Sequence, residues 1–177
     1  CWVTGGGFVL ESGRDNFGGN AKPMKDGRIQ GQWNHVDHGG RHIHGEPSYI
    51  VCRHLNEDGP GNPGGKNKGF DINQVFFGGE ARVSDGSGAM VEGYWFDVMA
   101  KDHGEGGSVR AGKVKNGDHT ADYYRITLRA KSDPVANQSG AVIYETEQEL
   151  QGGNIQIHPP NNGHPYTPMT LPSWVKQ

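Results

Sequence analysis

Strict alternation of apolar and polar side chains is the feature that most limits what this chain can become. In GYWFDVMAK (93–101) it places Tyr94, Phe96, Val98 and Ala100 on one face and Trp95, Asp97, Met99 and Lys101 on the other. DYYRITLRAK (122–131) repeats the pattern, with Tyr124, Ile126, Leu128 and Ala130 inward and Arg125, Thr127 and Arg129 outward. Successive side chains leave a strand on opposite faces, so a period of two marks half-buried strands. AVIYETEQEL and GGNIQIH read as two shorter ones. No segment carries an apolar i, i+3, i+4, i+7 stripe, and little or no helix is expected.

Glycine supplies the punctuation. The 177 residues include 30 glycines, and turn signals such as GGG, DG, DGPGNPGG, DGSG and NGD recur along the chain. Short strands separated this way predict an all-β domain, either a two-sheet β-sandwich or a jelly roll. The 4 Trp, 6 Tyr and 6 Phe supply large burial and separate the chain from disordered Gly/Pro-rich sequences. Segments 56–69 and 103–119 are too polar and glycine-rich for strands and are expected to form long surface loops. The sandwich is expected over 1–158, followed by an extended Pro-rich C-terminal arm over 159–177. On that arm Tyr166, Leu171 and Trp174 are candidate interaction residues for this domain or a second copy.

Charge narrows the choice of partners. The net charge is −3, with 17 basic and 20 acidic residues interspersed, and no basic cluster tracks a phosphate backbone. No apolar run approaches the ~18 residues of a membrane span. Two cysteines, Cys1 and Cys52, are too few for a tetrathiolate zinc site. They are expected to form a disulfide, which implies an oxidising compartment. A lipid-modified N-terminal cysteine is the competing reading of Cys1.

Two stretches could carry chemistry. WNHVDHGGRHIHGE (33–46) reads as a hairpin around Gly39-Gly40. A two-residue turn there opposes Asp37 to His42 and His35 to His44, gathering all four on one face. Three imidazoles and a carboxylate suit zinc, copper or nickel. The same residues also suit the solvated face of an ordinary hairpin. DHGEGG, with Asp122 further on, brings Asp102, Glu105 and Asp122 to glycine-rich backbone. These carboxylates would either hold calcium or cap loop amides at a corner of the fold. Trp33 and Trp95 are candidates for an exposed glycan-binding platform. The nucleophile elbow G-x-S-x-G, HExxH and a P-loop are all missing.

The order of several motifs resembles the bacterial secreted β-domain sometimes called the post-choice-of-anchor domain. The residues that carry the resemblance are VTGGGFV (3–9), NFGGNAK (16–22), GRIQGQWNHVDH (27–38) and HIHG (42–45). They continue with FFGGEARV (76–83), GYWFDVMAKDHGEGG (93–107), DYYRITL (122–128) and LQGGNIQIH (150–158). The resemblance spans 3–158 and implies an extracellular all-β module near surface-anchoring regions, with no known catalytic activity. The inserts, the proline-rich tail and the abundant histidine depart from it. The expected function is therefore a secreted, non-enzymatic structural or adhesive module of the bacterial surface or matrix, open to self-assembly. A metal-binding protein or metal-dependent enzyme built on hairpin 33–46, and a carbohydrate-binding module, are the alternatives.

Overall fold

The computed structural model describes residues 1–53, 72–84, 88–103, 121–131 and 140–159. These residues form nine strands and no helix. The strands are β1 (Trp2–Leu10), β2 (Arg14–Pro23), β3 (Ile29–Val36), β4 (His42–Arg53), β5 (Gln74–Ser84), β6 (Val91–Lys101), β7 (Tyr123–Ala130), β8 (Val142–Glu149) and β9 (Gly152–His158). All pairings are antiparallel, and the order across the sheet is β8-β7-β6-β5-β4-β3-β2-β1-β9. Glu105, Tyr166, Leu171 and Trp174 lie outside the described residues, as do nearly all of the expected loops and arm.

The all-β expectation holds, but the two stacked sheets expected from turn spacing are here one continuous nine-stranded sheet. Each strand from β1 to β8 pairs with the next, so the ladder never breaks. Strand twist instead rolls the sheet until its two halves face each other. Phe17 of β2 stacks on Tyr124 of β7 with ring centroids 3.9 Å apart, and the Trp33 ring meets Phe77 edge-on at 4.8 Å. The strand β8 ends at Glu149, and two residues later the chain has crossed to pair with β1. Thus β8 and β9 form a corner whose arms border opposite edges of the sheet.

The alternating faces predicted for β6 and β7 are observed. Phe96, Val98, Ala100, Tyr124, Ile126 and Leu128 all lie in the interior core. The opposite face is not simply solvated. Tyr49, Val51, Phe76, Trp95 and Met99 form a second buried cluster there, and Arg125 and Thr127 are buried beside it. Trp33 and Trp95 are both buried, so neither offers the exposed platform that glycan binding would need.

A β-bulge links this two-sided strand to the disulfide. Pairing between β4 and β5 slips between Pro47 and Tyr49, leaving Ser48 unpaired. One extra residue reverses the faces beyond it. Ile43 precedes the bulge and points inward; after it, Ile50 and Cys52 point inward while Tyr49 and Val51 join the outer cluster. Cys52 thereby meets Cys1, and the two are disulfide-bonded with Cα atoms 6.4 Å apart. The bond joins the residue preceding β1 to β4, a strand that is not β1's neighbour in the sheet, and so fixes the roll at that end.

Candidate functional site

The hairpin 33–46 folds with a turn one residue longer than expected. Asp37 C=O accepts from Gly40 N–H at 3.0 Å, and Asp37 N–H donates to Arg41 C=O at 3.0 Å. Gly40 has φ 85°, the left-handed residue that closes a three-residue loop. The Asp37 carboxylate stabilises this form by accepting Arg41 N–H at 2.8 Å.

The observed partners are Asn34 with His44, His35 with Ile43 and Val36 with His42. A one-residue change of register sends each side chain to the other face. His35 therefore lies inside, 1% exposed, and Asp37 is buried at the turn. His42 and His44 stand on the outer face, where Asn34 Oδ1 accepts from His42 Nε2 at 3.3 Å and His44 Nδ1 at 2.8 Å. The four proposed ligands do not converge. Among the described residues no group of three His, Cys, Asp or Glu side chains is placed to hold a metal ion.

Two of the three proposed calcium carboxylates, Asp102 and Asp122, accept backbone amides. Asp122 Oδ1 accepts His103 N–H at 3.0 Å, and its Oδ2 accepts Ile155 N–H at 2.8 Å. Asp102 Oδ2 accepts Ile157 N–H at 2.9 Å. Ile155 and Ile157 sit on β9, an end strand of the sheet. The two aspartates satisfy donors that an edge strand would otherwise leave bare.

What the hairpin does build is a polar chain running from the core to the surface. Trp33 Nε1–H donates to Tyr124 Oη at 3.1 Å, and Tyr124 Oη–H donates to His35 Nδ1 at 3.3 Å. His35 Nε2–H donates to Tyr144 Oη at 3.0 Å, and Tyr144 Oη–H donates to Asp15 Oδ2 at 2.6 Å. The carboxylate fixes these directions. It can only accept from Tyr144, so Tyr144 accepts from His35, whose Nδ1 is left to accept from Tyr124.

A second arm reaches Asp15 from the surface. His38 donates to Asp15 Oδ1 twice, from its backbone N–H at 2.7 Å and from Nδ1 at 3.0 Å. That tautomer leaves His38 Nε2 to accept Ser12 Oγ–H at 3.1 Å. Ser12 belongs to the β1–β2 turn and His38 to the β3–β4 turn; Asp15 is the second residue of β2.

Electrostatics agree with this proton arrangement. Burial pushes the Asp15 carboxyl up, but the hydrogen bonds from Tyr144 and His38 outweigh it and hold Asp15 below its ordinary value. Burial pushes His35 down to about 4, against the opposing pull of Asp15 and Asp37, so its imidazole is neutral near pH 7. Burial, and then the bond to Asp15, pushes the Tyr144 hydroxyl up. Arg41 lies over the Tyr144 ring, 5.3 Å from its centroid.

Of this chain, sequence reasoning singled out Trp33 and His35, each for a different task. Ser12, Asp15 and Tyr144 carry no local motif, and His38 lies in the hairpin sequence as a residue to which no role was assigned. Asp15 and Tyr144 are 129 residues apart and meet only because the sheet rolls.

The outer face also holds a polar cleft of about 560 Å³ whose lining includes His44, Glu46, Glu80, Arg82, Glu92 and Lys131. Its charges are partly paired already, Arg82 with Glu46 at 3.4 Å and Lys131 with Glu80 at 2.5 Å.

The fold and site together define an all-β domain: one rolled antiparallel sheet, fastened by a disulfide and crossed by a buried hydrogen-bond chain. No protein-family model, curated protein or solved structure matches the chain.

Proposed function

We propose that this chain is a secreted structural or adhesive module of a bacterial surface or matrix. The observation that carries the reading is the disulfide between Cys1 and Cys52, set at the end of the sheet where β1 begins and β9 finishes. Such a bond persists in oxidising surroundings and resists spreading of the fold under load or dilution. At that end Trp2 and His158 are cross-strand partners and stack with ring centroids 3.7 Å apart. The start of β1 and the end of β9 therefore lie side by side at the fastened end of the sheet. Inside the roll, aromatic and aliphatic side chains from seven or more strands fill the core, which favours a scaffold over a container.

Intact mass and thiol titration of protein recovered from the exterior of its producing cells test this reading. The expected result is a chain lighter than its reduced form by the mass of two hydrogens, with no titratable thiol. A lipid adduct on Cys1, or two free thiols, would overturn the disulfide-fastened exterior module. Adhesion and self-assembly are tested on the same material. Sedimentation over a rising concentration series, and retention on beads coated with the producer's surface polymers, should show association. Purely monomeric, non-retained protein would remove the adhesive part of the proposal.

A further inference from the structure

We propose that Ser12 is an activated nucleophile that accepts an acyl group from an ester or thioester, with His38 as its base and Asp15 orienting the base. The three side chains make the two hydrogen bonds that such a relay requires. Ser12 Oγ lies 3.1 Å from His38 Nε2, and His38 Nδ1 lies 3.0 Å from Asp15 Oδ1. A nucleophile, a base and a buried carboxylate in this relation are recognised by geometry and role, not by chain order or motif.

Three further observations argue that the imidazole is held for this orientation. The carboxylate of Asp15 is 1% exposed and accepts both the backbone N–H and the ring Nδ1–H of His38. Turning the ring over would break the second bond and present carbon to the buried oxygen. Tyr144 Oη–H occupies the other oxygen of Asp15 at 2.6 Å, so that oxygen already has a donor and the carboxylate stays fixed. Gly13 supplies the third. A Cβ placed there would lie 2.4 Å from His38 Cβ and 2.6 Å from Cγ, so the imidazole rests where only glycine leaves room. Ser12 is exposed and His38 is 43% exposed, so an acyl donor reaches them directly from solvent.

In the reaction, Ser12 Oγ forms a bond to the carbonyl carbon while its proton passes to His38 Nε2. The tetrahedral adduct then expels the alkoxide or thiolate, which takes that proton from His38 Nε2–H. The products are acyl-Ser12 and an alcohol or thiol, and no oxidant or metal takes part. Asp15 stays ionised throughout and balances the transient imidazolium.

The test uses the full, disulfide-bonded chain and a biotinylated alkyl fluorophosphonate. The probe replaces its P–F bond with a bond to an activated serine oxygen and releases fluoride. Intact mass and peptide mapping should find one adduct, on Ser12. Ser12→Ala should abolish it with an unchanged melting temperature. His38→Gln should slow labelling by about 100-fold or more, the usual scale of a lost general base. Gly13→Ala should slow it comparably, by displacing the imidazole while keeping all three groups, and it carries the comparison if His38→Gln fails to fold. No adduct on the native chain, or labelling of Ser12 at a rate indifferent to both variants, would show that the three residues merely clasp two turns together.

Discussion

At the scale of single residues, the polar chain through Asp15, Tyr144 and His35 makes two buried groups depend on one hydroxyl. Tyr144→Phe removes one hydroxyl and leaves both Asp15 Oδ2 and His35 Nε2 without their partner. Unsatisfied buried groups cost about 1–3 kcal/mol each, so urea unfolding should show a loss of about 2–4 kcal/mol once partial rehydration is allowed for. An unchanged midpoint would mean that the chain contributes nothing to stability. His35 sets a pH dependence as well. Its folded value, about 4, lies below the ordinary 6.5, so between these pH values the unfolded state binds the extra proton. Stability from this residue is complete above pH 6.5 and is lost as the pH falls toward 4, about 3 kcal/mol in all. Asp15 acts in a lower window. Its depressed value makes its contribution persist until the pH falls below the ordinary carboxylate value of 3.8. Denaturant melts from pH 7 to 4.5 should therefore slope in the native chain and flatten in His35→Gln.

At the scale of elements, single residues in turns and bulges set which face each side chain occupies. Ser48 is the extra residue of the β4 bulge, and everything after it depends on that insertion. Deleting Ser48 should return Ile50 and Cys52 to the outer face and draw Tyr49 and Val51 inward. The measurable outcome is two titratable thiols per chain where the native protein has none. Retention of the disulfide would mean that β4 recovers its register elsewhere. The edge strand β9 depends on Asp102 and Asp122 in a similar way. Asp122→Ala strips the acceptors from two backbone amides, those of His103 and Ile155, and should cost about 2–5 kcal/mol. It should also speed hydrogen exchange at Ile155 well before that at core amides of β6. Equal acceleration throughout would indicate global loosening rather than a released edge.

At the scale of the whole molecule, the roll of the sheet is what the disulfide secures. The bond closes a loop with a sequence separation of 51, for which chain entropy predicts about 4 kcal/mol of stabilisation. Reduction, or Cys1→Ser with Cys52→Ser, should lower Tm by on the order of 10 °C for a domain of this size. Calorimetry checks this directly. A shift of only a degree or two would show that the interior aromatics hold the roll without help.

Much of the fold was legible in the chain, and the reason is local. Alternation in 93–101 and 122–131 fixes the faces of β6 and β7, because a strand's period depends on backbone geometry alone. The hairpin's existence was legible too, from Gly39-Gly40 between histidine-rich arms. Its register was not. A loop of two or three residues is equally compatible with HGG, and the choice was made by Asp37, whose carboxylate holds the Arg41 amide, and by His35, which fills a place against Tyr124 and Tyr144. That single choice separated His35 from His42 and His44 and dissolved the expected metal site. Local patterning specifies a glycine-punctuated β domain and sets Cys1 and Cys52 as the candidate bridge. That one sheet rolls up where two were expected to stack emerges only in three dimensions, because accumulated strand twist is a property of the whole ladder. Only that roll brings Tyr144 to Asp15, which the β2–β3 pairing already sets beside His38.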